Sequence, residues 1–301
     1  MQHRLMRSAT CAALLAVSMS GQAQAAAVAE TPSVLQDQGR SLAGPLTPAS
    51  MKALTEAAER LKLPLPLMQA ADGLGMWRGG GAGERLDAII RAEFEGNGVI
   101  YQPAKSGKWA ETKVKQFIFS VDYSLPASRV MLVTTDAAGK DQKTFHVVRE
   151  NFAWDETAPG IGGKATTDSA EWRRREIEVL PHSIMRAVFA ADRTKVKLTQ
   201  QGGKHVITAP VHGVTAKITL APNFRPERVE LPVTHPVLGK TTLVATYSDY
   251  KDWDGYEVFF PQKIQYSLGG KPFVDLTATK HAIGMYLIFP VPPAVQQAAK
   301  N

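Results

Sequence analysis

Strand-like segments with alternating apolar and polar residues, divided by tight turns, fill most of the sequence from Phe117 onward. The turns carry the glycine pairs Gly202-Gly203 and Gly269-Gly270 and the pair Asp254-Gly255. Two-residue hairpin loops need positive φ angles, which glycine adopts without steric cost. Successive hairpins build an antiparallel sheet, because each strand returns beside the one before it. The pattern therefore disfavours an alternating βαβ fold and predicts a strongly curved antiparallel sheet.

A first helix is predicted near the N-terminus. Thr47 is an N-cap residue followed by Pro48 at the first helical position, and apolar residues recur at helical spacing as far as Leu61. Pro64 should end this helix, and we expect a loop after it. This segment forms an N-terminal helical arm that precedes the sheet.

A second helical stretch, residues 168–191, interrupts the strands. Asp168 begins a capping box, the helix should run to about Leu180, and Pro181 should kink or restart it. The apolar side of such a hairpin has to be buried against the sheet. We therefore predict the α+β class: a strongly curved antiparallel β-sheet, an incomplete barrel, covered by a helical hairpin and preceded by the helical arm.

Residues 1–25 have the pattern of a secretory signal peptide. Arg4 and Arg7 precede a short apolar run, and Ala23-Gln24-Ala25 matches a cleavage site. We expect cleavage after Ala25 and a location in the periplasm. No apolar run reaches the length of about 18 residues that a transmembrane helix needs, so the protein is not expected to span a membrane.

The domain organisation follows from these segments. We expect a signal peptide at 1–25, a flexible segment with the helical arm at 26–84, the curved half-barrel with its helical insertion at 85–295, and a tail at 296–301.

Composition excludes several classes of protein. The only cysteine, Cys11, lies in the signal segment, so a disulfide framework or a cysteine-rich metal site is excluded. The formal net charge of +7 falls to +5 without Arg4 and Arg7. This excess is dispersed along the chain, and export separates the protein from nucleic acid, so we expect no nucleic-acid partner.

Catalytic and metal-binding motifs are missing from the sequence. There is no H-x-H, no H-E-x-x-H and no G-x-S-x-G pattern. We expect no catalytic residues, no metal and no cofactor. An unrecognised hydrolase is an alternative. Its candidate residues, which would have to converge on one reacting centre, are His205, His212 and Asp249.

A curved sheet closed by helices leaves a cavity that small apolar ligands can occupy. In the alternative interpretation the same side chains fill an ordinary core. Alternation along the strands assigns ten apolar residues to the concave face: Phe117, Phe119, Val130, Leu132, Phe145, Val147, Leu243, Phe259, Ile264 and Phe273.

The densest basic patch lies in the predicted insertion, where Trp172 precedes Arg173, Arg174 and Arg175. These four residues are candidates for contact with an anionic headgroup or a protein partner in the periplasm. In the alternative interpretation the arginines form a solvated helix face, paired with glutamates at helical spacing. Those glutamates are Glu171, Glu176 and Glu178.

Several phrases of the sequence carry a resemblance to known families. They are the stretches 171–182, 224–229, 238–240, 247–255, 260–261 and 269–276. Together they resemble the lipoprotein-sorting (LolA/LolB-type) half-barrel superfamily and, more closely, the N-terminal region of exported bacterial metallo-β-lactamase-fold hydrolases. The resemblance covers residues 85–295 and implies a half-barrel. The H-x-H-x-D-H motif of those hydrolases is missing, so their activity is not implied.

These observations predict an exported, non-enzymatic periplasmic protein that binds a hydrophobic ligand, a lipid or an acyl chain in a half-barrel cavity. An alternative is an accessory module for a separately encoded hydrolase. Whether the chain stands alone or is a truncated form of such a hydrolase stays open.

Overall fold

The structure is a computed structural model that describes residues 47–77, 86–104, 106–135, 139–166 and 170–299. The predicted signal segment and the N-cap Asp168 lie outside these residues. Within them, the helices are α1 (Pro48–Leu61), α2 (Leu65–Gly73), α3 (Ala170–Glu178), α4 (Pro181–Ala190) and α5 (Pro293–Ala298). The strands are β1 (Arg91–Pro103), β2 (Trp109–Asp122), β3 (Ala127–Thr135), β4 (Asp141–Arg149), β5 (Phe152–Glu156), β6 (Lys164–Ala165), β7 (Lys197–Gln201), β8 (Lys204–Val211), β9 (Val214–Leu220), β10 (Pro226–His235), β11 (Gly239–Asp252), β12 (Phe259–Leu268) and β13 (Lys271–Ile283).

All 13 described strands belong to one antiparallel sheet in the order β6-β5-β4-β3-β2-β1-β13-β12-β11-β10-β9-β8-β7. The chain starts at β1, in the middle, and proceeds strand by strand to the edge strand β6. Helices α3 and α4 then lead to the opposite edge strand, β7, and the remaining strands return to pair β13 with β1. The predicted antiparallel sheet with helices is confirmed, and the sheet makes up most of the molecule.

The sheet is curved around α3. The ring centroids of Trp172 on α3 and His235 on β10 are 4.7 Å apart. The next residue, Arg173, donates a hydrogen bond of 2.9 Å to the carbonyl oxygen of Val147 on β4. Strands β4 and β10 are seven places apart, which in a flat sheet would separate them by about 34 Å. Two adjacent side chains can contact both strands only because the sheet bends around them.

Glycines in β1 allow this bend at the middle of the sheet. A Cβ atom on Gly98 would lie 2.0 Å from the carbonyl oxygen of Asp275, and one on Gly96 would lie 2.6 Å from that of Thr277. The pairing of β1 with β2 also shifts register between these two glycines. Glycine within a strand commonly marks a bend or a close backbone approach, and here it does both.

The helical arm contains one helix more than the sequence analysis predicted. The hydroxyl of Thr47 accepts a hydrogen bond of 3.1 Å from the backbone of Ser50, as expected for the N-cap of α1. The loop expected after Pro64 is instead the helix α2. Proline is compatible with a helix in its first turn, and the burial of Leu67 and Met68 in the core stabilises α2.

The exit of α2 fixes the arm to the rest of the molecule. Gly75 has a φ of +71°, and a Cβ atom there would lie 1.9 Å from the carbonyl oxygen of Glu257. Arg225 Nε donates a hydrogen bond of 2.7 Å to the carbonyl oxygen of Gly73. His182 Nε2, on α4, donates one of 3.1 Å to that of Leu74. The arm is therefore held against both α4 and the turn before β12.

Two apolar clusters lie on opposite sides of the sheet. The larger one fills the space between the sheet, the arm and the α3–α4 hairpin. The smaller one includes Val147, Trp154, Phe289 and Val295, so the C-terminal segment covers the other face near β4 and β5. Residues 296–298, expected in a tail, belong to α5. No described helix combines the length and the apolar character that crossing a membrane requires.

Two histidines are buried in the larger cluster. His182 and His281 are 0% and 2% exposed, and the ring of His281 stacks on Phe260 with centroids 4.3 Å apart. Both ring nitrogens of His281 and Nδ1 of His182 lack a hydrogen-bond partner among the described residues. Burial lowers the pKa of His182 to about 4 and that of His281 to about 3. Both rings are therefore neutral in the folded protein at neutral pH.

Replacing His281 with Phe should raise the free energy of unfolding at pH 7 by about 1–3 kcal/mol. The phenyl ring keeps the stacking position and removes two buried, unpaired nitrogens. Below about pH 6.5 the unfolded state takes up protons that the folded state does not, so the wild-type protein loses stability as the pH falls toward 4. The His281→Phe variant should lose less stability over this pH range, because it lacks one of the two buried histidine rings. Urea denaturation at several pH values measures both effects.

The control variant is His212→Asn, in the exposed turn between β8 and β9. It should leave both the stability at pH 7 and its pH dependence close to those of the wild-type protein. Identical pH profiles for His281→Phe and the wild-type protein would contradict the effect assigned to the buried rings.

Candidate functional site

A cavity of about 380 Å³ lies between α3 and the concave face of the sheet. Strands β1 to β4, β12 and β13 contribute its walls, and the turn after β10 closes one side with Pro236 and Val237. Aromatic rings form much of the lining: the ring of Phe94 is 5.5 Å from that of Phe117 and 5.3 Å from that of Phe119. The volume falls within the range of sites that bind small ligands.

Six of the ten residues assigned to the concave face from the sequence line this cavity. They share a face because side chains two residues apart on a strand point the same way. The six residues are Phe117, Phe119, Val130, Leu132, Ile264 and Phe273.

The other four residues lie elsewhere. Phe145 and Val147 are on the opposite face of β4, because His146 between them lines the cavity. Val147 belongs to the smaller apolar cluster and Leu243 to the larger one. Phe259, at the start of β12, has the guanidinium of Arg225 3.9 Å from its ring centroid.

The predicted basic patch is not an exposed contact surface. Trp172 is 8% exposed and packs edge-on against Phe273, with centroids 5.5 Å apart. Arg175 is 7% exposed and donates a hydrogen bond of 2.5 Å to the carboxylate of Glu178. Arg174 donates to the carbonyl oxygen of Glu150 at 2.6 Å and to the side chain of Asn151. Arg175 pairs with glutamates at helical spacing as the alternative interpretation predicts, with Glu178 and, at 3.5 Å, with Glu171. Its guanidinium is buried, however, so the solvated face is incorrect for Arg175.

One side of the cavity, the polar wall, is formed by Arg173 and the polar groups that it contacts. Its Nη1 donates hydrogen bonds of 2.9 Å and 2.7 Å to the carbonyl oxygens of Val147 and Trp154. Its Nη2 donates one of 2.7 Å to the carboxylate of Asp155, which also accepts a bond of 2.8 Å from Nδ1 of His146. Burial alone would raise the pKa of Asp155, but the bonds from His146 and Arg173 and the charge of Arg173 lower it. Asp155 is therefore ionised and neutralises Arg173.

Glu176 is the other carboxyl group at this wall. It lines the cavity from α3, one turn beyond Trp172 and Arg173. Burial raises its pKa to about 7, although the charges of Arg173 and His146 oppose the shift. Across the cavity, burial raises the pKa of Tyr266, and the charge of Glu176 adds to this rise. The cavity thus combines apolar walls with one titratable carboxyl group.

His235 borders the cavity beside Trp172. Its Nδ1 accepts hydrogen bonds of 3.1 Å and 3.3 Å from the backbone of Val237 and Leu238, and burial lowers its pKa. These bonds place the proton of the neutral ring on Nε2 and hold the turn after β10 against the cavity.

The residues considered for hydrolysis do not meet at the cavity. His205 is on β8, His212 is in the turn after it, and Asp249 is on β11; none of the three lines the cavity. Within the described part of the chain, no three His, Cys, Asp or Glu side chains are grouped so as to hold a metal ion.

Sequence reasoning missed the polar residues His146, Asp155, Glu176 and Tyr266. One pattern in the sequence could have indicated Glu176. It lies four residues after Trp172 and three after Arg173, and residues at these spacings share a helix face. His146 and Asp155 gave no signal, because only the pairing of β4 with β5 brings them opposite each other.

Comparison with family models and with curated proteins found no match for the chain. Among solved structures, the chain is similar to that of LprF from Mycobacterium bovis. The sequence identity is 10%, the TM-score is 0.29, and the alignment covers 83% of this chain and 99% of the LprF chain. The likeness is distant, and the function proposed below rests on the cavity.

Replacing Arg173 with Met should lower the free energy of unfolding by about 2–3 kcal/mol. Two carbonyl oxygens and the Asp155 carboxylate each lose a hydrogen bond from Arg173, and the remaining bond from His146 and the partial exposure of Asp155 limit the loss. The neighbouring variant Arg174→Met should cost less than about 1 kcal/mol, because its partners are exposed. Urea denaturation of both variants measures the difference, and equal losses would contradict the role given to Arg173.

Proposed function

We propose that this protein binds a hydrophobic ligand, a lipid or a single acyl chain, in the cavity between α3 and the sheet. The observation that carries the proposal is the cavity itself, which has walls of Phe, Val, Leu and Ile side chains beneath a helix fixed at one end by Arg173. Burial of apolar surface drives such binding without directional contacts. We infer a binding or carrier role rather than catalysis.

The energetics of this binding set the scale of affinity. Each buried methylene group contributes about 0.8 kcal/mol, so about ten of them would contribute on the order of 8 kcal/mol. This corresponds to a dissociation constant of about 1 μM before the costs of immobilising the chain are counted. These costs weaken binding, so a dissociation constant in the micromolar range or above is expected.

The fold that we infer is an incomplete barrel of the lipoprotein-sorting type. The bending of the sheet around Trp172 and Arg173 supports it, as does the crossing of α3 and α4 between the two edge strands. The open side of such a barrel would give an elongated ligand access to the cavity.

The alternative, an accessory module that docks a separately encoded hydrolase, is less well supported. Two of its predicted contact residues, Trp172 and Arg175, are buried against other parts of the same chain. A side chain that is already packed inside cannot contact a partner without being exposed first.

We further propose that the protein works in the periplasm. The support is the sequence of residues 1–25, with its basic start, short apolar run and small-residue cleavage site.

Filling the cavity should abolish binding. Val130→Trp places a large ring inside it, so the affinity for laurdan, a neutral polarity-sensitive dye with a lauroyl chain, should fall at least about tenfold. The matched control is Met131→Trp, because the next residue on β3 points to the other face. Its dissociation constant for laurdan should lie within about twofold of that of the wild-type protein. Fluorescence titration measures both.

Thermal unfolding establishes that both tryptophan variants are folded. Equal laurdan affinity in the wild-type protein and Val130→Trp, or no binding by the wild-type protein, would refute ligand binding in this cavity.

Expression of the full chain in a Gram-negative host should deliver a protein that begins at Ala26 to the periplasm. Cell fractionation followed by mass spectrometry of the N-terminal peptide tests this. An intact N-terminus on protein confined to the cytoplasm would contradict the proposed location.

A further inference from the structure

Glu176 lines the cavity without forming an ion pair or a hydrogen bond to any residue that the structure describes. Arg173 lies three residues before it on α3, at a spacing that often allows an ion pair. The guanidinium of Arg173 instead points to β4 and β5, where two carbonyl oxygens and Asp155 accept its hydrogen bonds. Glu176 is therefore left facing the cavity alone.

The groups around Glu176 compensate only part of its charge, because burial raises its pKa more than the charges of Arg173 and His146 lower it. Arg173 is already neutralised by Asp155, and His146 on β4 donates its Nδ1 proton to the same carboxylate. Tyr266 on β12 and His235 on β10 also line the cavity. Arg173 is the only lysine or arginine in the lining that the structure describes. At Glu176 the described lining consequently offers a hydrogen-bond acceptor, and it contains no lysine or arginine other than the neutralised Arg173.

We propose that Glu176 gives the cavity a preference for amphiphiles whose headgroup donates hydrogen bonds and is not anionic, above all a protonated amine. This inference rests on the proposed function, because it assumes that the apolar part of the ligand occupies the cavity. An ammonium group would supply the half-buried Glu176 carboxylate with both a counter-charge and hydrogen bonds. A primary amide supplies the hydrogen bonds alone.

An anionic headgroup would be unfavourable in the same place. A ligand carboxylate would lie near Glu176, and like charges at short distance in a poorly hydrated cavity repel strongly. No free arginine or lysine of the described lining would offset this repulsion. The cavity should therefore discriminate between ligands with the same chain and different headgroups.

The raised pKa of Glu176 is consistent with this role. Burial raises it to about 7, so its ionised form is unfavourable in the empty cavity. A cationic ligand would stabilise that ionised form and lower the pKa again. The cavity lining thus contains a carboxyl group whose ionised form a cationic ligand would stabilise.

Competition against bound laurdan at about pH 8 tests the preference. The competitors are dodecylamine, dodecanamide and dodecanoic acid, each below its critical micelle concentration. For the wild-type protein we expect dodecylamine to compete at least about tenfold better than dodecanoic acid, with dodecanamide between them. In Glu176→Gln this ratio should fall to within about threefold, because the side chain keeps its shape and loses its charge.

The matched control is Glu171→Gln, which removes the same charge from an exposed position on the same helix. It should retain the wild-type ratio. A wild-type ratio near one, or a ratio unchanged in Glu176→Gln, would overturn the inference and leave laurdan binding intact. Failure of the wild-type protein to bind laurdan would instead refute the proposed function, and the inference with it.

The pH dependence of unfolding gives a second measurement that needs no ligand. A buried carboxyl group with a raised pKa makes the folded state bind more protons than the unfolded state, so its contribution to stability falls as the pH rises from about 4.5 to 7. Glu176→Gln should lack this fall and be more stable than the wild-type protein above pH 7. Parallel pH profiles for the two proteins would show that the cavity wall does not raise the pKa of Glu176, which would also overturn the inference.

Discussion

The guanidinium of Arg173 fixes the helical hairpin to the concave face of the sheet, and the arrangement of the cavity depends on it. Its hydrogen bonds to the carbonyl oxygens of Val147 and Trp154 place the start of α3 against β4 and β5. The adjacent Trp172 is thereby packed against the opposite side of the curve, at His235. Because Arg173 is committed to the sheet, Glu176 one turn later has no hydrogen-bond or ion-pair partner among the described residues. One side chain thus sets both the closure of the cavity and its unpaired charge.

The curvature of the sheet has a separate cause in β1. Gly96 and Gly98 allow the backbone of β13 to approach more closely than any side chain would permit. Side chains that alternate between the two faces of the sheet form two apolar clusters, one inside the curve and one outside it. Ion pairs also lie on both faces of the sheet. Asp155 faces Arg173 inside the curve, while the neighbouring Glu156, on the other face, binds Arg129 on β3 at 2.8 Å.

Much of the fold was predictable from local patterns, and the errors have physical reasons. Alternation and glycine turns predicted the antiparallel sheet, since both are local properties of the chain. The prolines at the start of α2 predict a stop, whereas burial of Leu67 and Met68 favours a helix there. On β4 the face was misassigned, because apolar residues cover both faces of that strand and alternation alone cannot show which face is concave.

The sequence by itself determined most of the strands after Phe117, the turns, the helical insertion and the apolar character of the concave face, because each depends on neighbours in the chain. Only the tertiary structure decided which apolar residues border an open cavity and which charges meet there. Arg173 could have paired with Glu176 on its own helix, and the pairing of β4 with β5 gave it better acceptors. Such choices depend on contacts between residues far apart in sequence, which no local pattern encodes.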